Sequence, residues 1–65
     1  MRIVVNGENR DLEATTLASA LEALNYGGAK VATALNGEFV PARVREAIKL
    51  KDGDRIEIVA PRQGG

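Results

Sequence analysis

The chain ends Pro61-Arg62-Gln63-Gly64-Gly65, and this end offers its most suggestive chemistry. A glycine pair has no Cβ, so its backbone can extend into a channel too narrow for any other residue. A carboxylate delivered on such a tail can itself be the reacting group in a partner's active site. A cloning remnant or a frayed end also reads Gly-Gly. The pair alone therefore leaves a reactive tail and an idle one both open.

No other part of the chain supplies a conventional catalytic set. The sequence contains no cysteine and no histidine. This argues against a zinc or copper site and removes the usual groups of nucleophilic and acid–base catalysis at neutral pH. Ser19 and the threonines remain, with no imidazole to activate them. Asp52, Asp54 and Glu57 are oxygen ligands in principle, but a calcium loop needs a longer array, and a plain turn is the better reading. Gly27-Gly28 could be mistaken for a phosphate loop, yet it lacks the Gly-Lys-Ser/Thr ending and does not precede a helix. The balance favours a substrate, carrier or binding module over an enzyme, with no metal and no cofactor bound by the chain itself.

Charge and composition narrow the partners. Nine basic residues balance nine acidic ones, whereas nucleic-acid binders usually carry a basic surplus. One Phe, one Tyr and no Trp leave no base-stacking platform. No apolar run approaches membrane-spanning length, and no signal-peptide pattern follows Arg2. The expected location is the cytoplasm, with neither nucleic acid nor membrane as a partner. The absence of cysteine leaves the redox compartment open.

Sixty-five residues make one small domain near the lower limit for folding without staples. Met1, Ile3 and Val5 alternate along a first strand. Asn6-Gly7 is a hairpin turn signal, and residues 9–13 read as the second strand, with Leu12 inward. Thr15 or Thr16 can cap a helix whose Leu17, Ala20, Leu21 and Leu24 form one apolar stripe. That helix should stop near Asn25-Tyr26, with Gly27-Gly28 as its C-terminal cap. Residues 31–35 form a third strand, with Val31, Thr33 and Leu35 on one face and Ala32 and Ala34 on the other. Asn36-Gly37 turns into a short strand over 38–40, which Pro41 ends. Val44 and Ile48 suggest a turn or two of helix within 43–49. Asp52-Gly53 turns into a last strand over 55–60, with Ile56 and Ile58 inward and Glu57 and Val59 outward.

This order implies an α+β fold: one amphipathic helix covering one face of a mixed sheet of four to five strands. The first and last strands would lie parallel at the centre, flanked by the second and third. That is the ubiquitin-like β-grasp arrangement, with a domain over 1–60 and a flexible Gly-Gly tail over 61–65 leaving mid-sheet. Outward by the period-two count are Val59 and Ala34, joined by Phe39; as one patch beside the tail they would be a docking surface.

The stretches ALNGEFVP (34–41), LKDGDRIEIV (50–59) and IVVNGE, the leucine-rich helix and the terminal Gly64-Gly65 together resemble the ThiS family, the sulfur carriers of thiamine biosynthesis. The resemblance covers the whole chain. It departs at Arg62-Gln63, where apolar residues are also common, and in lacking an aromatic between Pro41 and Leu50. The resemblance implies that a ThiF-like, E1-like adenylating enzyme uses ATP and magnesium to convert the Gly65 carboxylate to an acyl-adenylate. Gly64, Gln63 and Arg62 would then lie in that partner's active site. A sulfur donor such as a cysteine desulfurase would replace AMP, leaving a thiocarboxylate, and a ThiG-like thiazole synthase would accept the sulfur. Three alternatives share the features read so far: a molybdopterin-synthase small-subunit-like carrier, a ubiquitin-like protein modifier, and a non-covalent binding module with an incidental tail.

Overall fold

The computed structural model describes residues 1–27 and 30–60. The expected tail over 61–65, and Gly28 of the expected helix cap, lie outside the described residues. The elements are β1 (Arg2–Val5), β2 (Glu8–Asp11), α1 (Leu17–Ala23), β3 (Ala32–Leu35), β4 (Glu38–Val40), a 3-10 helix (Ala42–Ala47) and β5 (Arg55–Val59). The strands form one five-stranded sheet in the order β2-β1-β5-β3-β4. β1 and β5 run parallel at its centre, with Val5 opposite Ile56. β5 pairs antiparallel with β3 on its other side. The expected parallel central pair is present, with β4 added outside β3.

Alternation decides which face is covered. Ile3, Val5, Ile56 and Ile58 are buried with Leu17, Ala20 and Leu21 of α1 and with Val40 and Leu50. Thr33, on the same face, is buried too; its hydroxyl donates to the Val40 carbonyl at 3.0 Å and accepts from Arg45 Nε at 3.0 Å. Arg45 Nη2 also donates to the Val31 carbonyl at 2.6 Å, tying the 3-10 helix back to β3.

The start of α1 follows the expectation from the sequence, and its end differs in detail. Thr16 is the N-cap, and Ser19 completes a capping box with it. Ser19 Oγ accepts from the Thr16 N–H at 3.0 Å, so this hydroxyl has a structural partner. At the other end the helix stops at Ala23, and Asn25, at φ 70°, takes the left-handed position expected of glycine. The Tyr26 N–H donates to the Leu21 carbonyl and the Asn25 N–H to the Glu22 carbonyl. These two bonds make a Schellman cap, and asparagine tolerates the required conformation. The cap is thus complete before Gly27 is reached.

Three strand boundaries also shift. β2 spans Glu8–Asp11 rather than 9–13, and its pairing with β1 ends at Arg2 opposite Asp11. Leu12 lies one residue past the strand, still exchanging backbone hydrogen bonds with Met1 at 2.9 Å and half-buried against the core. β3 begins at Ala32 and β5 ends at Val59, each one residue inside the expected range. The segment after the 3-10 helix adds a contact that periodicity did not reveal. Thr16 bridges Lys49 antiparallel, the Leu17 N–H donates to the Ile48 carbonyl, and the Leu50 N–H donates to the Thr15 carbonyl. This clips the start of α1 to the chain entering β5.

Asp54 holds that entry. It is 4% exposed. Its Oδ2 accepts from the Lys51 N–H at 2.9 Å and its Oδ1 from the Asn36 side-chain amide at 3.1 Å. Burial pushes its pKa up, but the Lys51 N–H, the Asn36 amide and the Lys51 charge outweigh it, and the net shift is downward from 3.8. The folded state therefore favours the ionised form. The resulting stability is fully present above 3.8 and is lost as pH falls through the lowered folded value. Asp54→Asn would set an amide N–H₂ against one of the two donors and should cost roughly 1–3 kcal/mol at neutral pH. Denaturant titrations at several pH values should show the gap between wild type and variant narrowing below pH 3.8.

Candidate functional site

The residues leading to the tail follow the central strand of the sheet. β5 is bonded to β1 on one side and β3 on the other, with Val59 opposite Ala32 at its end. Ala60, exposed, is the last described residue before the tail. Gly65, Gly64, Gln63 and Arg62, the residues expected to do or support the chemistry, lie outside the described residues.

The three residues read as a docking patch come together on the open face. Ala34 is opposite Phe39 on β4 and opposite Glu57 on β5. Val59 is one same-face step beyond Glu57, so it shares this face. Phe39 is 70% exposed and Val59 63%. Large apolar side chains left this open on one contiguous surface are the informative exception to burial. Ala32, opposite Val59, joins the patch; its place followed from the same alternation that placed Ala34. Towards β1 the face becomes charged and polar, with Glu57, Arg55, Arg2 and Asp11 on it.

Two asparagines do more than the turn signals disclosed. Asn6 and Asn36 both take positive φ, 50° and 51°, ahead of Gly7 and Gly37 at 84° and 88°. This is the hairpin geometry the Asn-Gly pairs signal. Each side chain then reaches β5. Asn36 Oδ1 accepts from the Arg55 N–H at 2.9 Å. Asn6 Oδ1 accepts from the Ile58 N–H at 2.8 Å, and Asn6 Nδ2 donates to the Ile58 carbonyl at 3.1 Å. Asp-Gly would have made the same turn, so the choice of Asn at both was the available hint.

Other features carry less chemistry. A cleft of about 340 Å³ between α1 and the 3-10 helix is lined by Arg43 and Arg45 but also by Glu22 and Glu46, which offset their charge. Among the described residues no group of three or more Cys, His, Asp or Glu is placed to hold a metal ion. Among the same residues no helix is long and apolar enough to cross a membrane.

Comparison with known proteins agrees with this geometry. The model of the ThiS family matches residues 3–65. The sulfur carrier protein ThiS of Thermus thermophilus is 44% identical over 62 residues, covering 94% of this chain and 95% of that protein. A thiazole synthase of Paramagnetospirillum magneticum is 39% identical over 66 residues; the match takes in all of this chain but only 20% of that protein's length. The crystal structure of the thiamine biosynthesis protein ThiS from Geobacter metallireducens superposes with a TM-score of 0.84 at 30% identity, covering both chains in full. The solution structure of a thiamine biosynthesis protein from the same organism gives 0.80 at 29% identity, covering 100% of this chain and 88% of that one. The fold is the ubiquitin-like β-grasp, and the chain belongs to the ThiS family.

Proposed function

We propose that this chain carries sulfur for the thiazole ring of thiamine, holding it as a thiocarboxylate on Gly65. Membership of the ThiS family makes it a sulfur carrier of thiamine biosynthesis. The observation that carries the residue-level reading is the family match running through Gly65 on a chain whose last strand is central. A rigid strand ending beside an open apolar face suits delivery of a short tail into a partner.

The chemistry follows from the carboxylate. It is a poor electrophile, so it must first be activated. A ThiF-like adenylating enzyme, with ATP and magnesium, would let a Gly65 carboxylate oxygen attack the α-phosphorus. Pyrophosphate leaves and an acyl-adenylate forms. The terminal sulfur of a donor persulfide, such as that of a cysteine desulfurase, then attacks the carbonyl carbon. AMP departs with the electrons of the broken C–O bond, leaving an acyl disulfide. A thiol reduces this by displacing the donor sulfur as a mixed disulfide, leaving the thiocarboxylate. A ThiG-like thiazole synthase would be the acceptor, and the thiazole synthase relative is consistent with that pairing. With no cysteine in the chain, sulfur cannot be held as a side-chain persulfide. Gly64, Gln63 and Arg62 would occupy the partner's channel, where glycine lets backbone pass.

Val59, Phe39 and Ala34 would anchor the adenylating enzyme and the acceptor. Val59→Asp tests this. Val59 is 63% exposed, so folding stability should stay within about 0.5 kcal/mol of wild type. Binding to the adenylating enzyme, measured by calorimetry, should weaken by roughly 1–2 kcal/mol or more. Undiminished binding would remove this face from the interface.

A further inference from the structure

We propose that Asn6 is a positioning residue for the tail, acting through Ile58. The proposal rests on the tail-carboxylate reading above. β1 ends at Val5, and its last backbone pair with β5 is Val5 opposite Ile56. Ile58 therefore lies beyond the reach of the β1 backbone. Its N–H and carbonyl point to the β1 side, as the Ile56 carbonyl two residues earlier does, because both meet Asn6 there. Asn6 fills that gap. Its own N–H donates to the Ile56 carbonyl at 2.9 Å, and its side-chain amide then takes both Ile58 groups. The amide thus serves as one further peptide unit of β1. With it, the last turn of the ladder before Ala60 is held from both sides. Without it, β5 beyond Ile56 is bonded only to β3.

This arrangement fixes the direction in which the chain leaves the sheet. A root that frays would leave the carboxylate a larger volume to search, and the ordering cost would fall on binding. The chemistry inside the partner's site, once the tail is seated, would be unchanged. Asn36 provides a matched comparison. It has the same backbone conformation and also clamps β5, but at Arg55, the end away from the tail.

The test uses Asn6→Gly and Asn36→Gly in the full chain. Glycine takes the positive φ freely, so each turn keeps its conformation while the amide is lost. Hydrogen exchange should show the Ile58 N–H losing protection in Asn6→Gly only. In pyrophosphate release by the adenylating enzyme with ATP and magnesium, Asn6→Gly should raise KM about tenfold and leave kcat within about twofold, as an ordering cost requires. Asn36→Gly should leave KM close to wild type. Asn6→Asp, which keeps the acceptor for the Ile58 N–H but has no donor for its carbonyl, is a second variant and should raise KM in the same direction. Equal KM values for Asn6→Gly and Asn36→Gly, or a wild-type KM in both Asn6 variants, would overturn the positioning role while the carboxylate reading stands. A wild-type chain that supports no pyrophosphate release would instead overturn the reading on which it rests.

Discussion

One residue added after Gly65 is expected to abolish sulfur loading while leaving the folded domain and its docking intact. Each extended residue advances the chain by about 3.3–3.6 Å. The reacting carbonyl would be displaced by that distance in a site where reacting atoms must approach to about 3–3.5 Å, so a loss of at least about a hundredfold is expected. Gly64→Val should act through a different cause with the same result. It places a branched side chain where the channel would admit only backbone. Both changes leave every residue of the described core in place, so melting temperature and affinity for the adenylating enzyme should stay near wild type. Assays of thiocarboxylate formation run beside binding measurements will separate these effects. The pattern is the reverse of that expected for Val59→Asp, where binding is lost first.

Leu21→Ala should carry the largest stability cost. Leu21 is 4% exposed and packs in the single cluster formed by α1 and the covered sheet face. Truncating a buried leucine costs roughly 2–5 kcal/mol, because the cavity term adds to the lost transfer energy. Small domains have only about 5–15 kcal/mol in total. This chain has no disulfide to limit its unfolded state. Urea denaturation should therefore show a midpoint well below that of wild type. A cost below about 1 kcal/mol would mean that the helix is not seated on the sheet as described.

Most of the fold was legible because local signals and the global pattern agree. Asn6-Gly7 and Asn36-Gly37 mark hairpins, and Ile56 and Ile58 alternate with exposed partners. Leu17, Ala20 and Leu21 fall on one helix face, and all three are buried. The parallel pairing of β1 with β5 followed from placing one helix between hairpin and third strand. What escaped the sequence reading depends on groups that meet only after folding. Asn25 caps the helix because two carbonyls and two N–H groups align there, although Gly27-Gly28 was the stronger local signal. Arg45 reaches β3 from the short helix that Val44 and Ile48 suggested, but their spacing says nothing of where its guanidinium goes. Leu50 enters the core through the Thr16–Lys49 bridge, which joins segments more than thirty positions apart. The open apolar face was readable from alternation, since Val59 and Ala34 fall outward by parity and Phe39 joins them. The second role of Asn6 was not, because a turn signal says nothing about where the side chain points.

The most direct test of the central claim is the intact mass of this protein after incubation with its adenylating enzyme, ATP, magnesium and a sulfur donor. The account predicts a gain matching exchange of one oxygen for sulfur, localised by fragmentation to Gly65 and absent from Gly64→Val and from the chain extended past Gly65. An unchanged wild-type mass beside demonstrably active partner enzymes would contradict it. So would a mass corresponding to conjugation with a lysine of another protein.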